Sequence, residues 1–192
     1  MPAFDEIVQQ LQERRPLPPL YPTQPWNNTL SQQIKMSSAA DFLGPEASAA
    51  ASDKVAACRA GLLLWNDDLE ASHSISQGLE NATGSFWHAI MHRREGDAAN
   101  SHYWWRRTGA HPAFADVYEN VLAALQGEPA PEVAKPEVAE FVQALQRAAT
   151  WVPMEFVGRC EMARRGQLQS DWLQQVQVIE ISTLLRWCRA QL

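Results

Sequence analysis

Strand patterning is scarce in this 192-residue chain, and so are cysteine pairs, lysines and long apolar runs. Each shortage removes a class of protein. Without stretches that alternate apolar and polar residues, no sheet has a half-buried face on which to form, which leaves helices. Cys58, Cys160 and Cys188 are odd in number and far apart, and no CxxC spacing occurs. They read neither as a disulfide framework nor as a zinc knuckle. No apolar run approaches the roughly 20 residues that cross a bilayer. The opening from Met1 to Glu6 has neither the basic start nor the apolar stretch of a secretory leader. The expectation is a reducing, cytoplasmic setting with no membrane partner. Walker loops, Gly-x-Gly-x-x-Gly and the Gly-x-Ser-x-Gly elbow are all missing, which excludes nucleotide cradles and hydrolase sites of those kinds. Lysine occurs only at Lys35, Lys54 and Lys135, and the net charge is −6. That balance argues against a broad nucleic-acid surface, which needs excess positive charge to displace counterions. The remaining cations are arginines, which pair bidentately and tolerate burial, so some are expected as internal ion-pair partners.

With 46% apolar and 20% charged residues, the chain suits one hydrophobic core. The expected fold is all-α: a single-domain irregular helical bundle of seven or eight helices with a proline-rich N-terminal strap, spanning 1–192. Residues 1–45 would hold a short amphipathic helix over 4–14, with Phe4, Ile7, Val8 and Leu11 on its apolar face. The strap follows over Arg15–Pro25, anchored by Leu17, Leu20, Tyr21 and Trp26, because its prolines suit neither helix nor central strand. Residues 46–126 would form the central helices. One runs from 46 into Leu62–Trp65 and on through 78. A break comes at Asn81–Gly84, and the next helix, over 86–95, stops at Gly96. Asp97 caps the one after, which ends near Gly109, and Pro112 opens another. Residues 127–136 read as a loop, and 137–192 as C-terminal helices over 137–150, 153–166 and 170–191.

Every histidine lies between His73 and His111. Groups that titrate near neutral pH or bind metals are therefore concentrated in one stretch. At 100° per residue, three polar stripes emerge. Asn66, Glu70, His73 and Gln77 form the first; His88, His92 and Glu95 the second; Asn100, Tyr103 and Arg107 the third, flanked by Trp104. Short connections make neighbouring helices antiparallel, so the stripes are expected to converge on one pocket.

His88-x-x-x-His92 sets two imidazoles where one divalent metal can bind both. His73 and Glu70, or Glu95, would complete a set of three or four ligands with a position open to water. Without a metal, His73, His88, His92 and Glu95 remain candidates for acid–base work. Arg94, Asn100, Tyr103 and Arg107 are candidates for gripping a small anionic ligand against an aromatic face. A third reading competes with both. Histidines on buried helix faces are commonly hydrogen-bonded packing residues, and Glu70 and Glu95 would neutralise Arg93, Arg94, Arg106 or Arg107. Arg94 lies between Trp87 and Ile90 in angle, which suits a buried ion pair.

The stretch from Leu64 to His73, with Gln77, Gly84–Asp97, Asn100, Tyr103, Trp104 and Arg107, resembles an uncharacterised bacterial protein family with the signature GSFWHAIMHRREGD…N..YW.RR.G.HP. The match covers residues 62–114. It implies that the three stripes belong to one signature, which favours a shared pocket, and it names no reaction. Two functional expectations follow. The first is a His/Glu/Arg pocket for a small anionic molecule, with or without a divalent metal. The second is a noncatalytic helical scaffold or protein-interaction module whose polar residues form a buried network.

Overall fold

Local signals place most of the helix ends. A computed structural model describes residues 4–43, 52–127 and 135–191, and among them are eleven helices and no strand. The first three are α1 (Phe4–Glu13), α2 (Asn28–Met36) and α3 (Ala39–Leu43). The central group is α4 (Ser52–Trp65), α5 (Leu69–Ser76), α6 (Ala82–Glu95), α7 (Ala98–Thr108) and α8 (Ala113–Gln126). The last are α9 (Pro136–Ala148), α10 (Pro153–Arg164) and α11 (Asp171–Ala190). The expected helix start at 46 and most of the 127–136 loop lie outside the described residues.

The count exceeds seven or eight for two reasons. Residues 28–43 hold two helices that the sequence reading left unassigned. The Asn27 side chain caps α2 by accepting from the Leu30 N–H, and Leu30 and Ile34 sit one turn apart in the core. The single helix expected through 78 is divided at Asn66–Asp68. There Asp67 takes a left-handed conformation at φ 65°, and Asp68 caps α5 through the Ala71 N–H. Asn81–Gly84 is not a separate break but the cap and first turn of α6, with the Gly84 N–H bonded to Asn81 Oδ1. Gly96, at φ 88°, ends α6 in the left-handed region that glycine enters without a Cβ clash, and Asp97 caps α7.

Two helices are buried all round, which explains their lack of an apolar stripe. In α4 every residue from Ala60 to Trp65 is buried, and in α6 every residue from Gly84 to Arg94. Helix α4 touches α1, α2, α3, α5, α6 and α11, which enclose it beyond its exposed first turn at Ser52, Asp53 and Lys54. Small residues permit the close approaches. A Cβ on Gly61 would stand 2.6 Å from the Trp87 ring, so only glycine lets α4 pack against that tryptophan. Helix α5 buries Ser72 and Ser76 rather than a run of large side chains. Ser72 Oγ donates to the Ala60 carbonyl at 2.9 Å, and Ser101 Oγ donates to the Ala89 carbonyl at 2.8 Å. These bonds fix α5 on α4 and α7 on α6. They thereby set where His73 and Trp104 project.

Residues 14–27 carry no helix. Pro19 offers its carbonyl to both Arg94 and Gln177, at 3.1 Å each. Leu20 is buried, whereas Leu17 and Tyr21 are half-buried. Trp26, expected as an anchor, is 39% exposed; its ring lies under the Arg14 guanidinium and its backbone N–H bonds the Asn66 carbonyl. No described helix is long and apolar enough to cross a membrane.

Candidate metal centre

The turn between α4 and α5 is pinned by charge. Asp67 pairs with Arg14 and with Arg94, each at 2.5 Å, and all three side chains are almost wholly buried. Arg94 also donates to the carbonyls of Leu64 and Pro19. Its neighbour Arg93 leaves α6 for a different carboxylate, Glu180 of α11, at 2.7 Å, and lies over the Phe156 ring. Glu180 accepts a further bond from the Trp151 indole. Burial pushes the Glu180 carboxyl up in pKa, against the pull of Arg93 and Trp151. The partners of these arginines are thus Asp67 and Glu180, not Glu70 or Glu95.

The pinned turn presents α5 to α6 so that three of the five histidines meet. Ring centroids of His73 and His88 are 4.7 Å apart, those of His73 and His92 5.4 Å, and those of His88 and His92 4.8 Å. The two α6 rings are nearly parallel, as one helical turn of separation dictates, and His73 stands edge-on to both. One ligating nitrogen from each lies within 4.8 Å of the others. Tetrahedral ligation at about 2.1 Å needs donors about 3.4 Å apart, so the rings would have to turn inward to hold an ion. The outer face of His88 is covered by Trp104 of α7, stacked at 3.9 Å.

Hydrogen bonding separates the three. His92 Nδ1 lies 3.0 Å from Glu95 Oε2. That carboxylate takes an N–H from Nδ1, so in the neutral ring the lone pair is on Nε2, the arrangement that orients a ligating imidazole. His88 is 3% exposed, and neither of its ring nitrogens has a hydrogen-bond partner among the described residues. Burial, reinforced by His92 and His73, holds its pKa down at about 3. Burial and His92 lower His73 as well, against the opposing pull of Glu95. His88 and His73 therefore stand neutral near pH 7, the state in which imidazole binds metal.

A cleft of about 510 Å³ adjoins the cluster. Helix α2 lines it with Asn28, Gln32 and Lys35, α5 with Glu70 and His73, and α6 with Met91 and Glu95. His73 and Glu95 are thus shared between the cluster and the cleft wall. Glu70 stands on the wall one turn before His73 but outside the set of converging ligand atoms.

The other expected residues lie elsewhere. Asn66 is buried in the α4–α5 turn, where its amide donates to the Asn27 carbonyl and Ser31 Oγ. Gln77 is the exposed C-cap of α5. Asn100 is exposed and bonds back to its own cap, Asp97. Tyr103 and Arg107 are exposed, with the guanidinium over the Tyr103 and Trp104 rings. Neither they nor Asn100 nor Arg94 lines the cleft, so the four residues of the expected anion grip do not assemble there. His111 has a structural part. Its Nδ1 accepts the Ala113 N–H, its Nε2 meets Thr83 Oγ1 at 3.1 Å, and burial lowers its pKa to about 4. Sequence reasoning missed Arg14, Asp67 and Glu180. Nothing in spacing links Asp67 to Arg14 and Arg94, or Glu180 to Arg93. Comparison of the chain with protein-family models, with curated proteins and with solved structures finds no match to any of them.

Proposed function

We propose that the protein binds a divalent metal ion through His73, His88 and His92, beside a cleft that admits a small polar molecule. The observation that carries this reading is His88. A neutral imidazole has one donor and one acceptor, and leaving either buried without a partner costs about 1–3 kcal/mol. Both are unpartnered here, in a ring facing two further imidazoles. An ion accepts the lone pair, and the remaining N–H is the single group left to satisfy. Glu95 supports the same reading as the carboxylate behind His92. A set of three nitrogen donors suits zinc, iron, nickel or copper better than magnesium or calcium, which prefer oxygen. Among the described residues Lys35 is the one cation lining the cleft, and it already pairs with Asp68 at 2.8 Å. An anionic ligand would therefore meet the ion itself rather than an arginine clamp.

Elemental analysis by mass spectrometry tests this, on protein purified without chelator and beside the His88→Ala/His92→Ala variant. The expected result is near-stoichiometric metal in the parent and none in the variant. Metal missing from both after reconstitution with zinc, iron, nickel and copper overturns the proposal. A second reading, a scaffold stabilised by buried polar contacts, is favoured by the Arg14–Asp67–Arg94 and Arg93–Glu180–Trp151 groups. It accounts for the arginines. It leaves His88 without an explanation, because the ring makes no polar contact that could stabilise the fold.

A further inference from the structure

Resting on the metal centre just proposed, we infer that Glu70 is the proton acceptor for a protic ligand of the ion, water or a substrate hydroxyl, entering from the cleft. The reaction class would then be hydrolysis or hydration. Among the described residues four carboxylates line the cleft: Asp67, Asp68, Glu70 and Glu95. Three are committed. Asp67 neutralises Arg14 and Arg94, Asp68 holds Lys35 and the α5 cap, and Glu95 faces His92. The Glu70 carboxylate has no hydrogen-bond or ion-pair partner among the described residues, and its side chain is exposed to the cleft. It precedes His73 by three residues, so the two side chains leave α5 on one face. Both stand on the cleft wall, yet Glu70 stays outside the converging ligand atoms. It therefore sits beside whatever binds next to His73 without belonging to the ligand set.

The step balances without an oxidant or reductant. An O–H bond of the ligand breaks, the proton forms a bond to a Glu70 carboxylate oxygen, and the electron pair stays on the ligand oxygen. As that oxygen attacks an electrophilic centre in the cleft, hydrolysis breaks the bond from that centre to its leaving group, which departs with the electron pair and takes the proton from Glu70. In hydration the pair of the attacked double bond moves to its far atom, which takes the proton instead.

The test needs no substrate. Cobalt(II) is loaded into the full chain and into Glu70→Gln, and the visible cobalt bands are followed against pH as the bound water ionises. A carboxylate near that water opposes its ionisation, so Glu70→Gln is expected to lower the midpoint by about one pH unit while cobalt affinity stays unchanged. Coincident midpoints overturn the inference, since a first-turn glutamate that serves only the helix dipole leaves the midpoint alone. Loss of cobalt binding in Glu70→Gln overturns it differently, by making Glu70 a ligand. A parent chain that takes up no cobalt defeats the metal centre itself, an outcome distinct from both.

Discussion

Replacing His88 by leucine should stabilise the metal-free protein and destabilise the metal-bound one. In the absence of an ion, two buried ring nitrogens lack partners. Removing them recovers about 2 kcal/mol even at the low end of the usual cost. Leucine gives up the stack on Trp104, worth about 1 kcal/mol. The net expectation in chelator is a variant more stable than the parent by about 1 kcal/mol or more. With zinc at a thousandfold excess over its dissociation constant, the parent gains about 4 kcal/mol. The variant, left with His73 and His92, gains little. The order of stabilities therefore reverses between the two conditions, by about 3 kcal/mol in favour of the parent once metal is present. Urea denaturation at pH 7.5, with chelator and then with zinc, reads both numbers. A variant less stable than the parent by more than about 1 kcal/mol in chelator would refute the reasoning, because His88 would then be making stabilising polar contacts. An equal response of both proteins to zinc would refute it from the other side.

Three further outcomes follow from the same geometry. Asp67→Asn keeps a residue that tolerates the left-handed backbone while stranding Arg14 and Arg94. It should cost about 3–5 kcal/mol by urea denaturation, and a cost under about 1 kcal/mol would show those charges reaching water. Glu95→Gln, at an exposed position, should leave the fold intact and weaken metal affinity about 10–100-fold in a competition titration. The metal-free protein should lose stability as pH falls below 6.5. His88 and His111 are held neutral down to about 3 and about 4, whereas the unfolded chain protonates each near 6.5. Their contribution is complete above 6.5 and declines by up to ~1.4 kcal/mol per pH unit for each group, levelling first for His111 near pH 4. Urea midpoints that stay flat from pH 7 to pH 4.5 would contradict both assignments.

The helix ends were legible wherever a cap or a terminating glycine marks them. Gly96, Asp97 and Pro112 mark the end of α6 and the starts of α7 and α8 locally, whereas Asn81, read as part of a break, is the cap of α6. The turn at Asn66–Asp68 was not, because Leu62–Ser76 offers an uninterrupted apolar and polar pattern with no proline or glycine near the break. What holds that turn open is Asp67 between Arg14 and Arg94, and those partners lie 53 and 27 residues away. The α2 and α3 helices were overlooked for a related reason. Their apolar positions are few, and burial against α4, not a broad apolar stripe, keeps them in place.

By itself the sequence determined the helical class, the Gly96–Asp97 boundary between α6 and α7, and, through the 3.6-residue period, the pairing of His88 with His92 and Glu95 on one face of α6. Only the tertiary structure decided that α6 is enclosed on every side from Gly84 to Arg94, since its pattern carries no inward direction. It brought His73 to the pair by seating α5 on α4 through Ser72, and it removed Arg94 from any ligand by enclosing it with Asp67. Periodicity governs what stands beside what along one helix. Partner choice across helices depends on long-range packing and charge neutralisation, which no local spacing encodes.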